Sequence, residues 1–157
     1  MNKTLTFKRA LLKRSRRPSD NRPYIDFLID GVSLTEILED VHNNIGKFGW
    51  LNTDEAPKRV EYELAAIDEL KSTGKSTHEN GLFSIYVCAE CGDEGCLAVM
   101  FIREINDDSI IWSDFVWSND EDEIDEAHTK FDTKQIIFDR REYDKALETL
   151  RIMVESI

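Results

Sequence analysis

Residues 96–117 read CLAVMFIREINDDSIIWSDFVW, two apolar stretches parted by Asn106-Asp107-Asp108. A connection this short cannot hold a crossover, so the flanking stretches form antiparallel neighbours in a hairpin. The run 97–102 is apolar almost without interruption, as suits a central strand covered on both faces. In the second strand Ile111, Ser113, Phe115 and Trp117 point one way, and Trp112, Asp114 and Val116 the other. Apolar groups therefore lie on both sides, which predicts core packing for Trp112.

The same reading extends outward. FSIYVCAE (83–90) precedes the pair, joined to it through CGDEG, and predicts a second hairpin. TLTFKRALLK (4–13) reads as a further strand. YIDFLID (24–30) alternates Ile25, Phe27 and Ile29 against polar neighbours, and Asp30-Gly31 ends it. Gln135–Phe138 adds a short strand.

Three helices are expected. Ser33-Leu-Thr-Glu36 has the form of a capping box, with Leu34, Ile37, Leu38, Val41 and Ile45 on one face and Gly46 as its C-terminal cap. A second helix starts near Pro57, turns Val60, Leu64, Ile67 and Leu70 inward and stops at Gly74. Asp139 with Glu142 repeats the capping pattern ahead of a stripe of Tyr143, Leu147, Leu150, Val154 and Ile157. Strands and helices do not alternate regularly, so the expected fold is α+β, an antiparallel sheet with hairpins packed by about three helices in a single domain over 1–157.

All three cysteines fall in VCAECGDEGC (87–96). A turn at Gly92–Gly95 with Cys91 and Cys96 facing across it accounts for the spacing before any chemistry. Zinc is the alternative, on Cys88, Cys91 and Cys96. A closed site needs a fourth ligand, and His42, His78 and His128 are placed poorly for one. No cofactor is expected. A redox pair would open a helix in a βαβ unit, and no histidine is set locally against a thiol for nucleophilic catalysis. The chain reads as a non-enzyme.

Charge is the other strong signal. Asp and Glu number 32 against 20 Lys and Arg, a net charge of −12. Residues 1–22 nevertheless hold eight basic groups against one acid. That stretch lacks the interleaved aromatics or groove-entering motif of a nucleic-acid reader. Its charge also excludes the apolar core of a secretory signal, and no later run is long enough to span a membrane, so a cytoplasmic protein is expected. In Asp120–Glu126 six of seven residues are acidic: Asp120, Glu121, Asp122, Glu123, Asp125 and Glu126. With Asp107 and Asp108 they suggest a docking surface for a basic protein.

YVCAECGDEGC (86–96), IIWSDF (110–115) and FDRREYDKAL (138–147) together resemble a family of small bacterial cytoplasmic proteins. These share a cysteine-framed turn, a Trp-Ser-Asp-Phe strand and a Phe-Asp-Arg-x-x-Tyr helix start. The resemblance covers about residues 83–147 and implies no activity. Acidic charge without an assembled catalytic motif points to an inhibitor, namely an immunity protein whose partner is the basic domain of a toxin such as a nuclease. A zinc-dependent structural or regulatory module on the three cysteines is the rival reading.

Overall fold

The computed structural model describes residues 2–12, 22–39, 45–46, 48, 56–88, 98–118 and 130–156. Its central element is the expected hairpin, β6 (Ala98–Ile105) and β7 (Ser109–Ser118), closed by Asn106 N–H donating to the Ser109 carbonyl at 2.9 Å. On one side β6 pairs antiparallel with β5 (Phe83–Cys88), and β5 with the two-residue β4 (Ile45–Gly46). On the other, β7 pairs with β8 (Ile136–Asp139). A second sheet joins β1 (Leu5–Leu12), β2 (Arg22–Ile29) and β3 (Val32–Ser33). The β2–β3 turn is Asp30-Gly31, with φ of 50° and 81°, the left-handed pair that a two-residue hairpin needs.

Two backbone bonds connect the sheets. Lys3 N–H donates to the Ile137 carbonyl at 2.7 Å beside β8, and Ile25 N–H to the Phe48 carbonyl at 2.9 Å just past β4. Among the described residues the strands thus form a ring, with one bridge at each seam.

Helices α2 (Ala56–Leu70) and α3 (Arg140–Glu155) pack against each other, and α3 also packs against β1, β7 and β8. The cap expected for α3 is present, since Asp139 accepts from Glu142 N–H at 3.0 Å, and Tyr143, Leu147, Leu150 and Val154 are buried. Trp112 is the hub of the core, with ring centroids at 4.7 Å from Phe101, 4.9 Å from Phe138 and 5.9 Å from Tyr143. A buried aromatic of this size is worth about 3–5 kcal/mol against alanine.

Two expectations fail, each for a local reason. The capping-box helix is a single turn, α1 (Leu34–Leu38), because the Ser33 hydroxyl donates to Asp26 at 2.5 Å and caps nothing. Glu39 then takes φ 63° and ends the helix, while Ile45 and Gly46 pair with Cys88 and Val87 in the sheet. In β7 the period of two breaks at Asp114, whose φ is 53°. Ser113 pairs with Ile102 and Val116 with Met100, so Asp114 and Phe115 together oppose Phe101 in a β-bulge. The bulge brings Ile110, Trp112, Phe115 and Trp117 to one core and leaves Val116 with Leu82, Val87, Ala98 and Met100 on the other face. The predicted partition of Ile111, Ser113, Phe115 and Trp117 against Trp112 is therefore wrong.

Candidate functional site: an acidic cleft at the start of α3

A cleft of about 520 Å³ opens between the β6–β7 turn, the start of α3 and the end of α2. Backbone geometry ties its two long walls together. Arg140 N–H donates to the Asp108 carbonyl at 3.0 Å, and the Arg140 guanidinium to the Asn106 carbonyl at 3.2 Å. Four carboxylates line it, Asp107, Asp108, Asp139 and Asp144, along with Arg140, Arg141 and Ser72.

The four acids are not equivalent. Asp139 is spent on the helix cap. Asp144 accepts from Ser72 N–H at 2.9 Å and from its hydroxyl at 2.5 Å, holding the turn after α2 against α3. Asp107 and Asp108 are exposed, and among the described residues their carboxylates take part in no ion pair or hydrogen bond. They are the sequence-predicted partner residues that the structure places. Asp120, Glu121, Asp122, Glu123, Asp125 and Glu126 lie outside the described residues, as do Cys91 and Cys96 and the turn between them. Cys88 ends β5, and the antiparallel pairing of β5 with β6 agrees with the expected hairpin. Among the described residues no group of three or more His, Cys, Asp or Glu is placed to hold a metal ion. None of their helices is long and apolar enough to cross a membrane.

Sequence reasoning missed the contribution of α3 to this cleft. Asp139 was legible as a cap, but nothing in the spacing of 107–108 and 139–144 announces that a turn and a helix start will meet. It missed a second polar centre as well. Asp26 falls on the polar side of the β2 alternation and reads as solvated, yet it is buried. Its carboxylate accepts from Phe27 N–H at 2.8 Å, the Ser33 hydroxyl at 2.5 Å and the Tyr86 hydroxyl at 2.8 Å. Burial, with the Asp26 charge added, holds the Tyr86 phenol well above its ordinary range, and the same two causes push Tyr24 up to about 12. Both phenols stay protonated at neutral pH. The cluster is a satisfied buried network and contains no activated nucleophile.

No protein-family model matches the chain, and neither a curated protein nor a solved structure does.

Proposed function

We propose that the chain is a non-enzymatic binding protein of the immunity class, acting in the cytoplasm, which neutralises a bacterial toxin such as a nuclease by covering a basic surface. The observation that carries this reading is the contrast among the cleft carboxylates. Asp139 and Asp144 serve the fold, whereas Asp107 and Asp108 project at the rim without an internal partner among the described residues. Two adjacent like charges at a hairpin tip contribute nothing evident to stability, and a cationic partner would relieve their repulsion. The net charge of −12 supplies long-range attraction to the same kind of surface.

The test is association kinetics against the products of the neighbouring genes, any basic toxin domain among them first. Asp107→Ser with Asp108→Ser, in a background carrying Ser at 120–123, should slow association by about tenfold or more at low salt and less at physiological salt, where screening limits reach to about 8 Å. Unchanged kinetics would remove the acidic surface from the interface. No binding to that domain, and no protection of cells expressing it, would remove the immunity reading. About one zinc per chain, lost with Cys91→Ser, would favour the zinc module instead.

A further inference from the structure

The outer face of the five-stranded sheet changes character along β6. Both long helices lie on the inner face, where Leu70, Tyr143 and Leu147 share one core with Trp112 and Phe138. On the outer face Ala98, Met100 and Val116 are buried in a smaller cluster. Ile102 follows Met100 by two residues and so lies on that same face, yet it is 38% exposed. In the ladder Ile102 opposes Ser113, Glu104 opposes Ile111, and Ile111 opposes Ile137. Opposed residues of antiparallel strands share a face, so Ile102, Ile111 and Ile137 form one stripe across β6, β7 and β8. None of the three belongs to either buried cluster.

A lone exposed isoleucine in a strand needs no explanation beyond β-propensity. Three at directly opposed and diagonal positions make a patch, and apolar patches rimmed by charge mark protein interfaces. The rim here is acidic. Glu104 stands in the stripe opposite Ile111, and the turn that ends β6 carries Asp107 and Asp108, all three exposed. Of the nearby cations, Lys130 pairs with Asp114 at 2.9 Å, and the Arg140 guanidinium donates to the Asn106 carbonyl. Lys134, exposed, stands ahead of β8 at the end of the sheet away from the Asp107-Asp108 turn.

We propose that this stripe is the apolar centre of the surface that meets the basic partner, with Glu104, Asp107 and Asp108 as its charged rim. On the immunity reading, on which this rests, the partner presents an apolar centre ringed by Lys and Arg. Charge selects that occupant over a second copy. A two-fold contact sets a patch against itself, which would bring these three acids together in a chain of net charge −12. The two kinds of residue then divide the kinetics: exposed acids steer encounter and set the on-rate, whereas desolvated apolar anchors set the lifetime of the complex.

The experiment measures kon and koff against the basic toxin domain among the neighbouring gene products, at two salt concentrations. Ile102→Thr, alone and with Ile111→Thr, keeps β-branched residues at positions outside the buried clusters. It should raise koff by about tenfold or more at either salt concentration, with kon unchanged. Ile152→Thr, on the exposed side of α3, should change neither rate. A koff unaltered by the double variant, while Asp107→Ser with Asp108→Ser still slows association, overturns the stripe and spares the immunity reading. No binding by the unaltered chain overturns both. Two measurements on the chain alone complete the test. Shielding of the three isoleucine methyl groups from a soluble gadolinium chelate in NMR would mean that the chain covers its own stripe, and a dimer weakened by Ile102→Thr would assign it to a second copy. Either result overturns the proposal, and accessible methyl groups in a monomer support it.

Discussion

The C-termini of α2 and α3 each receive an arginine from a β-strand, but the two ends are built differently. At α2 the guanidinium of Arg103 donates to the carbonyls of Glu69, Leu70, Lys71 and Gly74 at 2.6–3.0 Å and lies 4.2 Å over the Phe83 ring. Tyr143 adds its hydroxyl to the Leu70 carbonyl at 2.5 Å. At α3 the exposed Arg9 meets one carbonyl and one hydroxyl. Both cations face the negative end of a helix dipole. The α2 end is half-buried, so water could replace only part of the lost bonds and the carbonyls left dry would carry a desolvation cost. At the α3 end water substitutes freely. The same residue type in the same role therefore has a structural value fixed by burial.

The largest expected effect is at Arg103. Arg103→Ala should cost about 3 kcal/mol, read as a lower urea midpoint at constant slope, and Arg103→Lys should recover less than half because one ammonium cannot span four carbonyls. A loss below about 0.5 kcal/mol would erase the contrast.

Next comes Gly74, which touches the same helix end. A Cβ there would stand 2.2 Å from the Asp68 carbonyl oxygen and 2.3 Å from that of Glu69. Gly74→Ala should cost about 1–3 kcal/mol through displacement of the turn that Arg103 binds, with a lowered Tm as the measure.

Alkaline pH offers a chemical way to separate the two ends. Burial raises the Tyr143 phenol far above its ordinary value of 10.0. A proton held more tightly in the folded chain gives stability that is fully present below the unfolded pKa and lost as pH rises beyond it. Tyr24 and Tyr86, also raised, act with the same sign. Tyr143→Phe should be less stable by about 1 kcal/mol at pH 8, and the deficit should shrink as pH passes 10. A deficit that stays constant in denaturation curves from pH 8 to 11 would mean Tyr143 does not titrate with unfolding.

The smallest effect belongs to the other end. Arg9→Ala should change stability by no more than about 0.5 kcal/mol. A loss matching that of Arg103→Ala would break the comparison outright.

The sequence was most informative where one period ran undisturbed. The α3 stripe and its Asp139 cap are visible because each rests on residues within a few positions of one another, and the β6–β7 hairpin because Asn106-Asp107-Asp108 leaves no other connection. It misled where a distant group intervened. Ser33 looked like a cap until the buried Asp26 took its hydroxyl, and the parity of β7 held only up to a bulge at a non-glycine residue with positive φ. Arg103 and Asp26 carried no signal at all: one sits in an apolar strand and the other on a polar face, and each is covered by folding against elements distant in sequence, Arg103 at the end of α2 and Asp26 beneath Tyr86. Of the candidate site, Asp107 and Asp108 were readable as exposed charge, whereas the cleft they border required β7 and α3 to be folded together.

The ring closure also orders events in time. The β1–β2 hairpin is local and can form once its own residues are available. The seam at Lys3 waits for Ile137, 134 positions later, and that at Ile25 for Phe48. During synthesis the first strand is therefore complete long before the bond that fastens it exists. Until β8 emerges, Lys3 lacks the carbonyl that fastens it, so the seam of longest sequence separation is the last of the two to close.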